Sequence, residues 1–145
     1  MEINKEKVRK HFRRSMGSYD ENARVQKVVV ERLCPMATKA LRHKPRKILE
    51  VGCGTGLLTA LLRKAFPDSE LHVNDLVEDL CYRAAVANGI PKECCFAGDI
   101  ERVELPGRYD LVVSASTFQW FTDPVATFRK FADSLNEDGC MVFSS

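Results

Sequence analysis

Histidine is scarce, and His11, His43 and His72 lie too far apart in sequence to pair as metal ligands. No Cys-x-x-Cys spacing occurs either, so the sequence predicts no metal site. No apolar run approaches the roughly 20 residues that a bilayer crossing needs, and the opening "MEINKEKVRKHFRRS" has no apolar stretch of the kind a secretion signal carries. A surplus of one charge is missing as well. The 22 Lys and Arg stand against 20 Asp and Glu, a formal net charge of +2, which gives no support to nucleic-acid binding. Repeats and low-complexity tracts are absent. These absences predict a cytoplasmic protein with neither a membrane nor a nucleic acid as partner.

What is present fits one domain: 145 residues, 45% hydrophobic and 29% charged. Six cysteines (Cys34, Cys53, Cys81, Cys94, Cys95 and Cys140) are spread through apolar segments, which predicts reduced, packed thiols rather than a disulfide scaffold. Lys5 to Ser15 is basic and weakly amphipathic, and a longer helix is predicted from near Ala23, with Val25, Val29, Leu33, Ala37, Ala40 and Leu41 on one stripe and Pro45 as breaker. The period then changes. "KILEV" reads as a strand, "LLTALLRKAF" as a helix, "ELHVND" as a strand, and "VEDLCYRAAVANG" as a helix with Gly89 capping its end. "ECCFAGD" and "YDLVVSAS" read as strands, and "DPVATFRKFADSL" as a helix with Asp123 at N-cap and Pro124 at N1. A turn "NEDG" leads to a fifth strand, "GCMVFSS". Strands alternating with helices predict an α/β doubly wound parallel sheet, preceded by two N-terminal helices.

After the first strand comes "EVGCGTGLL", with glycines at 52, 54 and 56. In open α/β sheets, ligands sit beyond the carboxyl ends of the strands at the point where the strand order reverses. Three alternating glycines remove more side chain than a tight turn requires. A dinucleotide-binding turn would read Gly-x-Gly-x-x-Gly, but Leu57 stands three residues after Gly54. A nicotinamide-dependent oxidoreductase is therefore the weaker alternative.

Glu50-x-Gly52-x-Gly54-x-Gly56 resembles motif I of the class I methyltransferases that use S-adenosylmethionine, and the resemblance runs on down the chain. It implies a Rossmann-like sheet of which this chain supplies strands one to five. It also implies that Glu50, Gly52, Gly54 and Gly56 form the cofactor loop. Asp75, 19 residues past Gly56 at the end of the second strand, would accept from the ribose hydroxyls. By the same resemblance, Asp99 of "FAGDI" would accept from the adenine amino group, Ile100 would lie near the ring, and Leu76 would pack on its other side. Asp99 as a plain helix cap and Leu76 as a core residue stay open. Ser114, Ala115 and Ser116 would line the pocket at the methionine end.

The N-terminus narrows the choice. Phe12, Tyr19, Ala23 and Gln26 in "FRRSMGSYDENARVQ", with Gln119 and Trp120 after the fourth strand, resemble a subfamily that includes the O-methyltransferases acting on malonyl carrier protein in biotin synthesis. That resemblance implies an arm, residues 1–44, folding over a cofactor-binding core, 45–145, with Tyr19 closing the pocket and Gln26 beside it. Methyltransferases of small molecules such as trans-aconitate or quinones share many of these features. A non-catalytic cofactor-binding module is a further alternative. Trp120 serves equally well as core or as a substrate contact. No catalytic residue is predicted: a malonyl carboxylate is already anionic at neutral pH, so positioning suffices. The substrate carrier protein would be acidic, and Lys5, Lys7, Arg9, Lys10, Arg13 and Arg14 would either steer it or form a solvated helix face. The family's sheet has strands in the order 3-2-1-4-5-7-6, whereas this chain stops at the fifth. The expectation is a cofactor-binding portion whose last strand offers an open edge for self-association.

Overall fold

The computed structural model describes residues 20–115 and 120–144, with side chains from residue 27 onward. Helix α1 (Asp20–Ala40) precedes β1 (Lys47–Val51), α2 (Leu57–Ala65), β2 (Glu70–Asp75) and α3 (Glu78–Ala87). A 3-10 turn (Lys92–Cys94), β3 (Cys95–Ala97), β4 (Tyr109–Ala115), α4 (Pro124–Asp133) and β5 (Leu135–Ser144) follow. The five strands form one sheet in the order β3-β2-β1-β4-β5, and every pairing is parallel. The order reverses between β1 and β4, so the turn after β1 lies where such sheets hold ligands.

Strand residues alternate between the two faces, except that the irregular pairing between Tyr109 and Leu111 leaves Tyr109 on the opposite face from Leu111. Ile48, Leu71, Val73, Leu111 and Val113 pack on one face with Leu58 and Leu62 of α2, Ala84 of α3, and Val30, Leu33 and Ala37 of α1. Leu49, Val51 and Val112 face the other side, where Phe121 and Phe131 cover them. Burial on both faces explains why the strands are apolar almost throughout.

Several predicted elements shift. On α1 the buried stripe is Val30, Leu33 and Ala37, with Leu41 packed beside it, while Ala40 faces solvent. Pro35 sits inside this helix on its exposed side, where the carbonyl it leaves without a helical partner can meet water. The alternation of strand and helix breaks once: among the described residues no helix joins β3 to β4. The predicted turn "NEDG" is a bulge inside β5. Pairing jumps from Tyr109↔Leu135 to Leu111↔Cys140, and Asp138 takes φ 65°. Asp110 pins this bulge, accepting from Asn136 Nδ2 at 2.9 Å and from the amide of Arg46 at 2.7 Å.

Helix ends follow the local chemistry. At α3, Gly89 adopts φ 64°, Ile90 N–H donates to Ala85 O at 2.8 Å and Gly89 N–H to Val86 O at 3.4 Å, a Schellman closure. At α4, Asp123 accepts from Ala126 N–H at 3.1 Å with Pro124 in the first helical position. No described helix is long and apolar enough to cross a membrane.

Candidate cofactor site

The carboxyl ends of β1, β2 and β4 converge on the glycine turn. The amides of Gly52 and Cys53 both donate to Asn74 O at 2.9 Å, Gly54 N–H donates to Asp75 Oδ2 at 2.8 Å, and Gly56 N–H to Cys53 O at 2.9 Å. The loop is thus laced to the end of β2, and these four amides are spent on protein acceptors. What the glycines contribute is shape. Gly54, at φ 53°, has open space where a Cβ would project, with nothing within 4 Å. Gly56, at φ 91°, lets α2 start against α3, where a Cβ would stand 3.3 Å from that of Ala84.

Beside Gly54 lies a small cavity of about 80 Å³. Its walls come from Val29 and Val30 of α1, Glu50 of β1, the turn from Gly52 to Thr55, Leu57 and Leu58 of α2, and Ala115 of β4. A larger space of about 420 Å³ opens at the opposite ends of the strands between basic and acidic residues and belongs to no predicted site residue. The smaller cavity is the one at the switch point of the sheet.

Glu50 is 1% exposed, and its carboxyl accepts from Thr59 Oγ1 at 2.5 Å. Burial pushes its pKa up to about 8; the Thr59 hydroxyl opposes the shift, and the nearby Asp75 and Cys81 add to it. At neutral pH the site therefore holds a mostly neutral acid that a cationic ligand would ionise. Its unfolded value is near 4.5, so between pH 4.5 and 8 the folded state binds more protons than the unfolded state, and stability falls as pH rises. Glu50→Gln should flatten urea-unfolding stability across this window by up to about 1.4 kcal/mol per pH unit. A variant whose pH slope matches the parent's would refute the buried acid.

Asp75 is 6% exposed. One oxygen takes Gly54 N–H and the other takes Val77 N–H, also at 2.8 Å. Burial raises its pKa, and the two amides pull the other way. Leu76 beside it is half-buried. Asp99 is likewise half-buried, and its Oδ1 accepts from Glu101 N–H at 3.0 Å, so it caps the turn that follows β3. Ile100 is 5% exposed within the cluster under α4. Ser114 is fully buried and donates to Val51 O at 2.7 Å; the β4 residue that borders the cavity is Ala115. Trp120 is half-buried. Tyr19, Ser116, Gln119 and the basic residues 5–14 lie outside the described residues, as does the side chain of Gln26.

Sequence reasoning missed four contributors. Val30 turns towards the cavity, Thr59 holds Glu50, and Asn74 ties β2 to β3 and the loop after it by donating to Phe96 O at 2.6 Å and to Gly98 O at 3.1 Å. Glu101 accepts from the amides of Thr122 and Asp123 and from Thr127 Oγ1, closing that loop onto α4. Only Thr59 had a visible signal, a hydroxyl on the first turns of the helix that follows the acidic strand.

A five-stranded parallel sheet in the order 3-2-1-4-5, with a glycine turn after its first strand and a carboxylate ending its second, defines a nucleotide-binding type of α/β domain. Residues 49–141 match the family model described as "Methyltransferase domain", and the chain belongs to that family. It is 39% identical over 143 residues to malonyl-[acyl-carrier protein] O-methyltransferase of Anoxybacillus flavithermus, covering 99% of this chain and 54% of that protein. The protein of the same name from Acetivibrio thermocellus is also 39% identical, over 99% of this chain and 50% of its own length. The chain thus spans about half the length of these curated relatives. Among solved structures, the plantazolicin methyltransferase BpumL in complex with SAH superposes with a TM-score of 0.69 at 20% identity, over 90% of this chain and 51% of that one. An S-adenosylmethionine-dependent methyltransferase from Clostridium acetobutylicum gives 0.69 at 19% identity, over 91% and 56%. At these identities the structural likeness speaks for the fold.

Proposed function

We propose that this chain binds S-adenosylmethionine and forms the cofactor-binding part of an enzyme that methylates the free carboxylate of a malonyl group carried as a thioester on an acidic acyl carrier protein. The observation that carries this reading is the 39% identity to malonyl-[acyl-carrier protein] O-methyltransferases along nearly the whole chain. The empty space over Gly54 beside a buried acid supports it. So does the carboxylate of Asp75 at the adjoining strand end.

The residues present fit such a cofactor. The open space over Gly54 leaves room for a ligand against bare backbone, and Glu50 offers a carboxyl that gains by ionising beside positive charge. Asp75, already oriented by two amides, keeps lone pairs for a ribose diol, and in this reading the half-buried Leu76 and Asp99 would flank the adenine. Bound there, the sulfonium would supply an electrophilic methyl group. The chain's own part is to orient and to exclude water. Val29, Val30, Leu57, Leu58 and Ala115 make one side of the cavity apolar. The acceptor carboxylate is ionised at neutral pH, so no residue has to remove a proton. Alignment of the acceptor oxygen with the methyl carbon is then the main source of acceleration.

In this reading the segment 1–44, with Tyr19 and Gln26, covers the cavity; its support is that Val29 and Val30 of α1 already form the wall. The basic residues 5–14 would face the carrier protein. The outer edge of β5 is the place where two copies of the chain would pair.

The test is a labelled-methyl transfer assay with malonyl carrier protein, run beside calorimetric titration with S-adenosylhomocysteine and size-exclusion chromatography on one preparation. Binding is expected, with turnover well below about 1 per second for this chain alone. Failure to bind S-adenosylhomocysteine would overturn the cofactor reading. Methylation of a small dicarboxylic acid in preference to the carrier protein would overturn the acceptor, and a strictly monomeric profile would overturn edge pairing.

A further inference from the structure

At the amino ends of the strands, far from the glycine turn, His72 is buried at 4% exposure with its two ring nitrogens in different circumstances. Nδ1 lies 2.8 Å from the hydroxyl of Tyr109, whereas Nε2 is buried and has no hydrogen-bond partner. An orphaned buried imidazole nitrogen is costly and calls for an explanation. Its surroundings supply one. Glu70 is two residues earlier on β2, so its side chain leaves the same face of the sheet, and its Oε2 is 3.5 Å from Nε2. Cys94 comes from the turn before β3; Cys95 pairs with Val73, which puts Cys94 alongside His72. One carboxylate oxygen, one imidazole nitrogen and one thiol sulfur lie within 4.8 Å of one another.

We propose that Glu70, His72 and Cys94 form a binding site for a divalent metal ion of the zinc class. Tetrahedral coordination with bonds of about 2.0 to 2.3 Å separates neighbouring ligand atoms by roughly 3.5 Å. The pair Glu70 and His72 is at that spacing already, and the sulfur needs to close by about an ångström at most. A mixed nitrogen, oxygen and sulfur set suits zinc better than calcium or magnesium, which take oxygen. Three protein ligands leave a fourth position for water.

The remaining shell agrees. With Nε2 on the metal, Nδ1 carries the proton and donates it to Tyr109, the second-shell contact that fixes a ligating histidine. Binding would release the Cys94 thiol proton to solvent. Lys47 Nζ stands 4.0 Å from Glu70 Oε2 and offsets the added thiolate charge, and the half-exposed Glu70 side chain gives the ion its way in. All three ligands belong to one edge of the sheet, so the ion would clamp β2 to the start of β3. Sequence spacing hides this set, because parallel pairing of two strands brings Cys94 to His72 across 22 residues.

The test uses the whole chain, reduced and stripped with a chelator, then titrated with Zn²⁺ by calorimetry and with Co²⁺ by absorption. One ion per chain is expected, with a thiolate-to-cobalt charge-transfer band that Cys94→Ser abolishes. Glu70→Gln, at an exposed position that does not threaten folding, should weaken binding at least tenfold. Tyr109→Phe should weaken it by about 10 to 100-fold while the cobalt band persists. Affinity for S-adenosylhomocysteine should be the same with and without Zn²⁺, which separates this site from the cofactor reading. Absence of stoichiometric binding, or full affinity in Glu70→Gln, would overturn the proposal whether or not Cys94→Ser folds. Loss of binding in Cys81→Ser with Glu70→Gln unaffected would place the metal on the neighbouring thiols of Cys81 and Cys95 and equally overturn it.

Discussion

Asp75→Ala should lower stability by about 2 to 4 kcal/mol, because it strands two amides, those of Gly54 and Val77, that a buried carboxylate now satisfies. It should also weaken S-adenosylhomocysteine binding by about 1 to 3 kcal/mol beyond what destabilisation explains, the range for losing charge-assisted hydrogen bonds to a diol. The two effects come apart in Asp75→Asn. Its single side-chain oxygen can still serve one amide, but its NH₂ group opposes the other, so about half the stability loss is expected. Denaturant unfolding measures the first effect and calorimetry on the folded fraction the second. A folded Asp75→Ala protein with the parent's affinity would remove Asp75 from the ligand site and leave it as a latch between β2 and the glycine turn.

Gly54→Val is expected to abolish measurable cofactor binding, a loss of at least ~100-fold or about 2.8 kcal/mol, while the chain still folds. The backbone at φ 53° is unfavourable for a branched residue by about 1 to 2 kcal/mol. No protein atom lies within 4 Å of the new Cβ, so the side chain costs no packing, and Gly54 lines the cavity where the ligand is proposed to lie. Gly56→Val should do the reverse. Its Cβ would press on Ala84 at 3.3 Å, with φ at 91°, and the damage would fall on the packing of the loop against α3. Circular dichroism and S-adenosylhomocysteine titration of both variants distinguish the two roles. Normal binding by Gly54→Val would mean that the ligand does not lie over the turn.

Much of this domain was legible in advance because its signals are local. Gly89 ends α3 and Asp123 with Pro124 starts α4 where the residue chemistry says they should, since caps depend on a few neighbouring backbone groups. The apolar strands declared a two-sided sheet. The stripe on α1 was read less well. Ala40 faces solvent and Val30 is buried, because the angle at which a helix meets a sheet decides which margin of its apolar face is covered. "NEDG" was legible as an irregularity but not as a bulge within a strand. That outcome depends on Asp110 of β4 reaching Asn136.

By itself the sequence determined the order of elements, the glycine turn after β1, the acid before it, the carboxylate at the end of β2 and the family to which these belong. Each of these is written in short stretches whose backbone demands are met within a few residues. Tertiary structure alone decided which predicted residues reach the cavity. Glu50 borders it and ionises reluctantly because the core buries it away from water, a shift that the Thr59 hydroxyl opposes, whereas Ser114 is turned away by its bond to Val51 and yields that place to Ala115. It also decided that Glu70, His72 and Cys94 meet. Strand register is set by the packing of whole faces, and no local rule along the chain announces which residues of β2 and β3 will stand side by side.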